Sequence, residues 1–200
     1  MNTSVTSISY QASPASAFAW TSLRVLVAAL LTALLTGCSV MNTSSSSGSG
    51  SGSATLSREA HWVLLPIANH TEVPQAGLRA ETITEALLRG RGLGALATYP
   101  ATLNTESLME PAERKVQADA AKWAREQGIR YGVQGAVDEW RYKVGVDGEP
   151  AVGIALQVID LQSGEVVWSA VGARSGWSRE ALSAVAQKLI SDLLSRAPIQ

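Results

Sequence analysis

The chain of 200 residues is poor in the residues that carry enzyme chemistry. It contains one cysteine, Cys38, and two histidines, His61 and His70. A single thiol cannot form an internal disulfide. Metal sites need several clustered Cys, His or carboxylate ligands, so we expect neither a metal nor a cofactor. The folded part also lacks the Gly-x-Ser-x-Gly elbow of a nucleophilic serine. We therefore expect a protein that is not an enzyme, and we assign no catalytic residue.

Charge is scarce at the start of the chain. Arg24 is the only charged residue before Arg58, and it directly precedes an apolar run over residues 25–35. This run is shorter than the roughly 20 apolar residues that a membrane-crossing helix needs. A positive residue, a short apolar stretch and then small residues are typical of a secretory signal peptide. We assign residues 1–37 to this signal.

The signal ends in Leu35-Thr36-Gly37-Cys38, which resembles the lipobox of bacterial lipoproteins. This motif predicts cleavage before Cys38 and acylation of its thiol. Several acyl chains on one protein make membrane anchoring effectively permanent. The residue after the cysteine is Ser39, and the absence of Asp there favours the outer membrane. We therefore expect a lipid-anchored protein on the periplasmic face of the outer membrane.

Residues 38–55 combine the lipidation site with a Ser- and Gly-rich segment that has almost nothing to bury. Such composition is typical of a flexible tether. Its average span, on the order of 20 Å, would hold the following domain close beneath the membrane.

Residues 56–200 form the domain, and they carry all but one of the 16 Lys and Arg together with all 17 Asp and Glu. The slightly negative net charge argues against a nucleic acid partner, because proteins that bind phosphates usually have a surface rich in Lys and Arg. A domain of about 145 residues can bury a hydrophobic core large enough to be stable without disulfides or bound metals.

The hydrophobic pattern of the domain predicts alternating strands and helices. A continuous apolar run over residues 62–67, stopped by Asn69 and His70, predicts a buried strand whose end Pro66 marks. A helix follows, with Gly90, Gly92 and Gly94 near its end. A short strand, a second helix opened by Pro111 and three strands in a meander come next. Ser178 is predicted to cap the last helix. The order β-α-β-α-β-β-β-α predicts an α/β fold with a single mixed β-sheet and helices packed against it.

Two features of the domain are candidates for binding. The acidic residues Asp138, Glu139, Asp147 and Glu149 crowd a strand end and the turn after it. They could be solvated hairpin residues, an acidic binding surface or the carboxylate pair of a glycosidase. Trp177 lies in a polar loop and is not part of an apolar pattern of any strand or helix. Its indole is therefore expected either to be covered by another part of the protein or to lie at an interface.

Several stretches resemble the PelC family, the lipoprotein component of the Pel exopolysaccharide export apparatus. They are LLPIANHTEVPQAG at residues 64–77, QGAVDEWRYK at 134–143, IDLQSGEVVW at 159–168 and ARSGW at 173–177. The hairpin portion is shared with a wider group that includes the curli-secretion lipoprotein CsgG. The first and last stretches carry the narrower resemblance, which extends over the whole domain and the lipobox.

The resemblance implies a homo-oligomeric ring of about a dozen subunits beneath the outer membrane. It further implies an acidic surface that guides the cationic polysaccharide to its outer-membrane porin during biofilm formation. A tryptophan at the place of Trp177 is implied to enter the outer membrane. Small strand residues, namely Gly132, Gly135, Gly153 and Gly172, would permit close packing between subunits.

Two other classes of function remain open from the sequence. One is a regulatory outer-membrane lipoprotein that activates a cell-wall synthase, which would behave as a monomer and bind that synthase. The other is a periplasmic glycosidase, which a hydrolysis assay would reveal.

Overall fold

The structure, a computed structural model, describes residues 41–47, 55–100, 112–145 and 148–200. The predicted signal peptide and Cys38 lie outside these residues, as do most of the Ser- and Gly-rich segment and Asp147. The strands are β1 (Met41–Ser47), β2 (Trp62–Asn69), β3 (Leu96–Thr98), β4 (Tyr131–Tyr142), β5 (Pro150–Asp160) and β6 (Glu165–Ser175). The helices are α1 (Ala76–Gly90), α2 (Ala112–Glu126) and α3 (Leu182–Leu194).

The described strands form one sheet in the order β1-β6-β5-β4-β2-β3. Strand β2 is parallel to β3 and β4, whereas the pairs β4–β5, β5–β6 and β1–β6 are antiparallel. The sheet is therefore mixed. From β2 onward the elements follow the order β-α-β-α-β-β-β-α, so the predicted α/β fold class is confirmed.

Strand β1 was not predicted. The sequence analysis assigns Met41–Ser47 to the flexible tether, but this segment pairs along β6, with Met41 opposite Arg174 and Ser47 opposite Trp168. Strand pairing uses backbone N–H and C=O groups, so a segment without an apolar pattern can still cover an otherwise open sheet edge. Periodicity of side chains could not reveal it.

Helices pack on both faces of the sheet because successive strand residues point to opposite sides. On one face, Trp62 and Leu64 of β2 join a core with α1 and α3, which includes Trp140 and Trp168. On the other face, Val63 and Leu65 pack against α2. Trp62, Trp140 and Trp168 are all almost fully buried, so three of the tryptophans serve the core.

Strand β2 continues past Pro66, which the sequence analysis expected to end it. The pairing with β4 is interrupted between Leu64 and Ile67. Gln117 of α2 fills the gap, since its Nε2 donates to the carbonyl oxygens of Pro66 (3.0 Å) and Gly135 (2.9 Å). From the other face, the carboxylate of Glu81 accepts the N–H of Ile67 at 2.9 Å. Pairing resumes beyond the gap as far as Asn69.

Glycines follow the C-terminal ends of the first two helices, which was expected for α1. Gly92 and Gly128 have φ of 91° and 71°, in the left-handed region that favours glycine at a helix C-terminus. The N–H of Gly92 donates to the carbonyl of Arg89 at 2.9 Å. Within the described ranges, no helix combines the length and hydropathy needed to cross a bilayer.

Candidate functional site

One end of the sheet carries the described candidate residues. Tyr142 pairs with Pro150, Ala151 pairs with Ser175, and the N–H of Gly176 donates to the carbonyl of Pro150 at 2.8 Å. These pairings align the last residues of β4 and β6 with the first of β5. We call this the Trp177 end, because the loop with Trp177 directly follows β6 here.

Trp177 is 74% exposed. Val144 in the β4–β5 hairpin and Tyr142 at the end of β4 are also large, apolar or aromatic, and exposed. An indole and a phenol combine an apolar body with a hydrogen-bonding tip, which suits the boundary between water and lipid. The Trp177 end therefore presents side chains typical of a membrane interface, and the position predicted for Trp177 outside its own core is consistent with this exposure.

The backbone of the Trp177 loop is held in place by its own hydrogen bonds. The N–H of Glu180 donates to the carbonyl of Trp177 at 2.8 Å, and the N–H of Trp177 lies 3.4 Å from Glu180 Oε2. Lys188 of α3 donates to Glu180 Oε1 at 2.5 Å. This hydrogen bond is the main cause that lowers the pKa of Glu180. The loop is consequently fastened to α3 while its indole stays exposed.

Helix α3 begins differently from the prediction. Its N-cap residue is Ala181, which offers no capping side chain, so Ser178 does not cap the helix. The turn between Trp177 and Glu180 occupies the residues where the prediction began the helix. A residue distant in sequence supplies the cap instead, since the hydroxyl oxygen of Tyr142 accepts the N–H of Leu182 at 3.2 Å.

Asp138 lies at a break in the pairing of β4 with β5, between Val137 and Glu139. Its Oδ1 lies 2.9 Å from Nδ1 of His70, the residue that follows β2. Both side chains are more than half exposed. Strands β2 and β4 are parallel, and Asn69 at the end of β2 is opposite Val137, so the next residues of the two segments, His70 and Asp138, lie side by side.

Glu139 and Glu149 also have basic partners. Glu139 Oε1 accepts a hydrogen bond from Arg141 Nε at 3.0 Å, and Lys143 Nζ lies 3.6 Å from Glu149 Oε2. Asp147, the fourth predicted acid, lies outside the described residues. The three described acids are thus at least partly exposed and each contacts a base. Exposed ion pairs of this kind contribute only about 0–1 kcal/mol, so these carboxylates remain available to a competing cation.

The glycines that were expected to pack between subunits are used differently. Gly132, Gly153 and Gly172 are buried within the subunit, and Gly135 is half-buried. A Cβ on Gly132 would come within 2.9 Å of Leu65 Cδ1, and a Cβ on Gly135 would collide with the Ala155 backbone. Gly135 needs glycine because the neighbouring strand approaches so closely. Since Gly132, Gly153 and Gly172 are buried within their own subunit, the interpretation as intersubunit contacts is wrong for these three.

The described residues contain no group of three or more His, Cys, Asp or Glu that could hold a metal ion. An open groove of about 400 Å³ lies between α3 and β6. Its charged lining residues include Arg174 and Asp192, which form an ion pair at 3.0 Å. Lys188 at the same groove is paired with Glu180. The groove therefore offers little unbalanced charge to a ligand.

Sequence reasoning missed the contacts that organise this end of the sheet. It assigned no role to His70, Tyr142 or Glu180. The parallel arrangement of β2 and β4 could have suggested the pairing of His70 with Asp138. No local signal links Tyr142 to Leu182, because 40 residues separate them.

Comparison with solved structures finds a dodecamer with this fold. PelC from Paraburkholderia phytofirmans, a dodecamer, is 40% identical, with a TM-score of 0.65 over 80% of this chain and 99% of that chain. A variant of that protein, also a dodecamer, is 41% identical with the same TM-score and coverage. Lipoprotein GNA1162 from Neisseria meningitidis is 17% identical, with a TM-score of 0.48 over 68% of this chain and 96% of that chain. No protein-family model and no curated protein matches the sequence. Because it shares 40% identity across nearly the full length of the Paraburkholderia protein, this chain belongs to the PelC family.

Proposed function

We propose that this chain is an outer-membrane lipoprotein that guides the cationic Pel exopolysaccharide to its export porin during biofilm formation. Acylated at Cys38, it assembles on the periplasmic face into a ring of about twelve subunits. The observation that carries the proposal is the 40% identity with a dodecameric PelC over 99% of that chain. At this level of similarity over the whole domain, related chains usually retain their mode of assembly.

The proposed role of the acidic residues is electrostatic guidance. Between residues 138 and 149 the chain has four acids, Asp138, Glu139, Asp147 and Glu149, and two bases, Arg141 and Lys143. The described pairs are exposed, so amino groups of a passing polysaccharide can displace Arg141 and Lys143 at little cost in free energy. A ring repeats the excess of negative charge around one opening, which raises the local concentration of a cationic chain without binding it tightly.

The proposed role of Trp177 is contact with the outer membrane. Its indole is 74% exposed although the backbone of its loop is fixed by Glu180 and Lys188. A fixed loop that presents an exposed indole can enter the headgroup region without a large loss of conformational entropy. In a ring, the same contact is repeated by every linked subunit, which strengthens and orients the attachment.

The function is tested by neutralising the acidic residues in cells that depend on this chain for export. The variant combines Asp138→Asn, Glu139→Gln, Asp147→Asn and Glu149→Gln. We expect a large loss of secreted cationic polysaccharide while the ring and its membrane fractionation persist. A matched control combines Glu85→Gln and Asp119→Asn, two at least partly exposed acids that pair with Arg89 and Lys115 on helices. Normal export by the fourfold variant would contradict the guidance role.

A further inference from the structure

Strand β1 runs in a direction that matters for attachment to the membrane. It is antiparallel to β6, with Met41 opposite Arg174 and Ser47 opposite Trp168. Arg174 is next to the last residue of β6, so β1 begins at the Trp177 end of the sheet. It finishes near the opposite end, where β2 starts and where Tyr131 pairs with Asp160.

The covalent chain limits how far the lipidation site can be from this end. Cys38 precedes Met41 by three residues, and Trp177 follows Arg174 by three residues. Three residues span at most about 11 Å, even when fully extended. The covalent link from Cys38 to the sheet is therefore short, and it joins the sheet at Met41, which is opposite Arg174.

The pairing also changes which residues can act as a spacer. With β1 paired along β6, only Ser39 and Val40 separate Cys38 from the sheet in the sequence. Residues 48–54 come after β1 in the sequence, so their length does not add to the link between Cys38 and the sheet. The Ser- and Gly-rich composition alone had suggested that the whole segment separates the domain from the membrane.

We propose that the pairing of β1 with β6 holds the Trp177 end against the phospholipid bilayer. It makes the lipid anchor short and directs it to the side of the domain that carries Trp177. This inference rests on the acylation of Cys38 proposed above. The partner is a lipid surface because the acyl chains must insert there, and because the described residues at the Trp177 end include three exposed large side chains, Trp177, Tyr142 and Val144.

The strand pairing is tested first, by a disulfide in the full-length lipidated chain. Ser44 and Val171 are opposite each other in the register, and Cα atoms of antiparallel partners lie about 4.5–5.5 Å apart, within the range that a disulfide spans. We expect Ser44→Cys with Val171→Cys to crosslink rapidly and nearly completely. The control pair, Ser49→Cys with Val171→Cys, should crosslink slowly. Equal, slow crosslinking of both pairs would overturn the proposed pairing of β1 with β6 in the lipidated protein.

The consequence for the membrane is tested with two insertions of the same Gly-Ser sequence. Eight such residues span about 16 Å on average, more than the roughly 5–10 Å depth of an interfacial side chain. One insertion lies between Val40 and Met41, and the other between Gly50 and Ser51. The readout is quenching of tryptophan fluorescence by brominated phospholipids in vesicles that contain the lipidated protein. Subtracting the quenching of a matching Trp177→Phe chain isolates the contribution of Trp177.

We expect the insertion before Met41 to abolish the Trp177-dependent quenching and the insertion after Gly50 to leave it unchanged. Equal loss from both insertions would show that the entire segment acts as a tether and would overturn the inference. Full quenching with both would overturn it as well, because the length of the anchor would then be irrelevant. The mass of the purified wild-type protein shows separately whether it carries acyl groups. Their absence would contradict the proposed lipidation.

Discussion

The hydroxyl oxygen of Tyr142 accepts the backbone N–H of Leu182 at 3.2 Å and so joins the end of β4 to the first turn of α3. The first N–H groups of a helix have no partner within the helix. Ala181 at the N-cap cannot provide one through its side chain. Tyr142 at the end of β4 therefore caps α3.

Replacing Tyr142 with Phe should remove this cap and retain the ring. We expect a loss of about 1 kcal/mol in the free energy of unfolding, typical of a lost N-cap. Chemical denaturation of the soluble domain measures it. Tyr131→Phe is a suitable control, because no hydrogen bond of the Tyr131 hydroxyl occurs among the described residues and its ring packs on Trp62. Equal stability of Tyr142→Phe and the wild type would show that water replaces the phenol without cost.

Glu81 provides a prediction about pH. Burial raises the pKa of its carboxyl above the usual 4.5, so the folded state favours the protonated form. The associated stabilisation is present below pH 4.5 and is lost as the pH rises through the higher pKa of the folded state.

Glu81→Gln keeps an oxygen that can accept the N–H of Ile67 and removes the buried charge. We therefore expect the variant to gain stability relative to the wild type as the pH rises from about 4 to 7, by an amount on the order of 1 kcal/mol. Denaturation midpoints measured across this range test the prediction. A stability difference that is independent of pH would contradict the assigned cause.

The fold shows which structural features the sequence can reveal. The strands and helices of the domain follow from buried residues such as Ile154, which belongs to an apolar pattern with the period of a strand, and Leu189, which belongs to one with the period of a helix. Strand β1 escapes this reasoning because its Ser and Thr residues carry no apolar pattern and pair through the backbone. The continuation of β2 past Pro66 escapes it too, because it depends on Gln117 and Glu81 from two different helices.

The candidate site was predictable in position but not in its contacts. The exposure of Trp177 agrees with its polar sequence context. The basic partners of Asp138 and Glu149 depend on the strand register and the hairpin geometry, which sequence spacing does not determine. The pairing of Arg141 with Glu139 spans only two residues, yet other geometries were equally compatible with the sequence.

Gly176 is expected to be essential for the shape of the Trp177 loop. A Cβ there would lie 2.5 Å from Val185 Cγ2, 2.6 Å from Glu180 Oε2 and 3.0 Å from Pro150 Cγ. Gly176→Ala should therefore cost about 1–3 kcal/mol of stability, as overpacking typically does. Gly145→Ala is the control, since no heavy atom lies within 4 Å of its added Cβ. Thermal unfolding of the two variants compares them, and similar stabilities would contradict the packing described for Gly176.

Trp177→Ala should leave folding and oligomer size unchanged, because the side chain is exposed. An indole at the membrane interface contributes about 1–2 kcal/mol, less than its full value for apolar burial. We expect the unlipidated assembly to bind liposomes more weakly, by about 10-fold or more when several linked subunits contribute. Liposome cosedimentation measures the change. Dissociation or unfolding of the variant would show that Trp177 is structural.

The central claim is that this PelC family member forms a lipid-anchored ring, and native mass spectrometry of the full protein extracted from membranes in mild detergent tests it most directly. The account predicts an assembly of about twelve subunits, each beginning at Cys38 and carrying the added mass of acyl chains. An acylated monomer, confirmed as such by crosslinking in intact membranes, would contradict ring formation. A protein that retains residues 1–37 and carries no acyl group would contradict the lipid anchor.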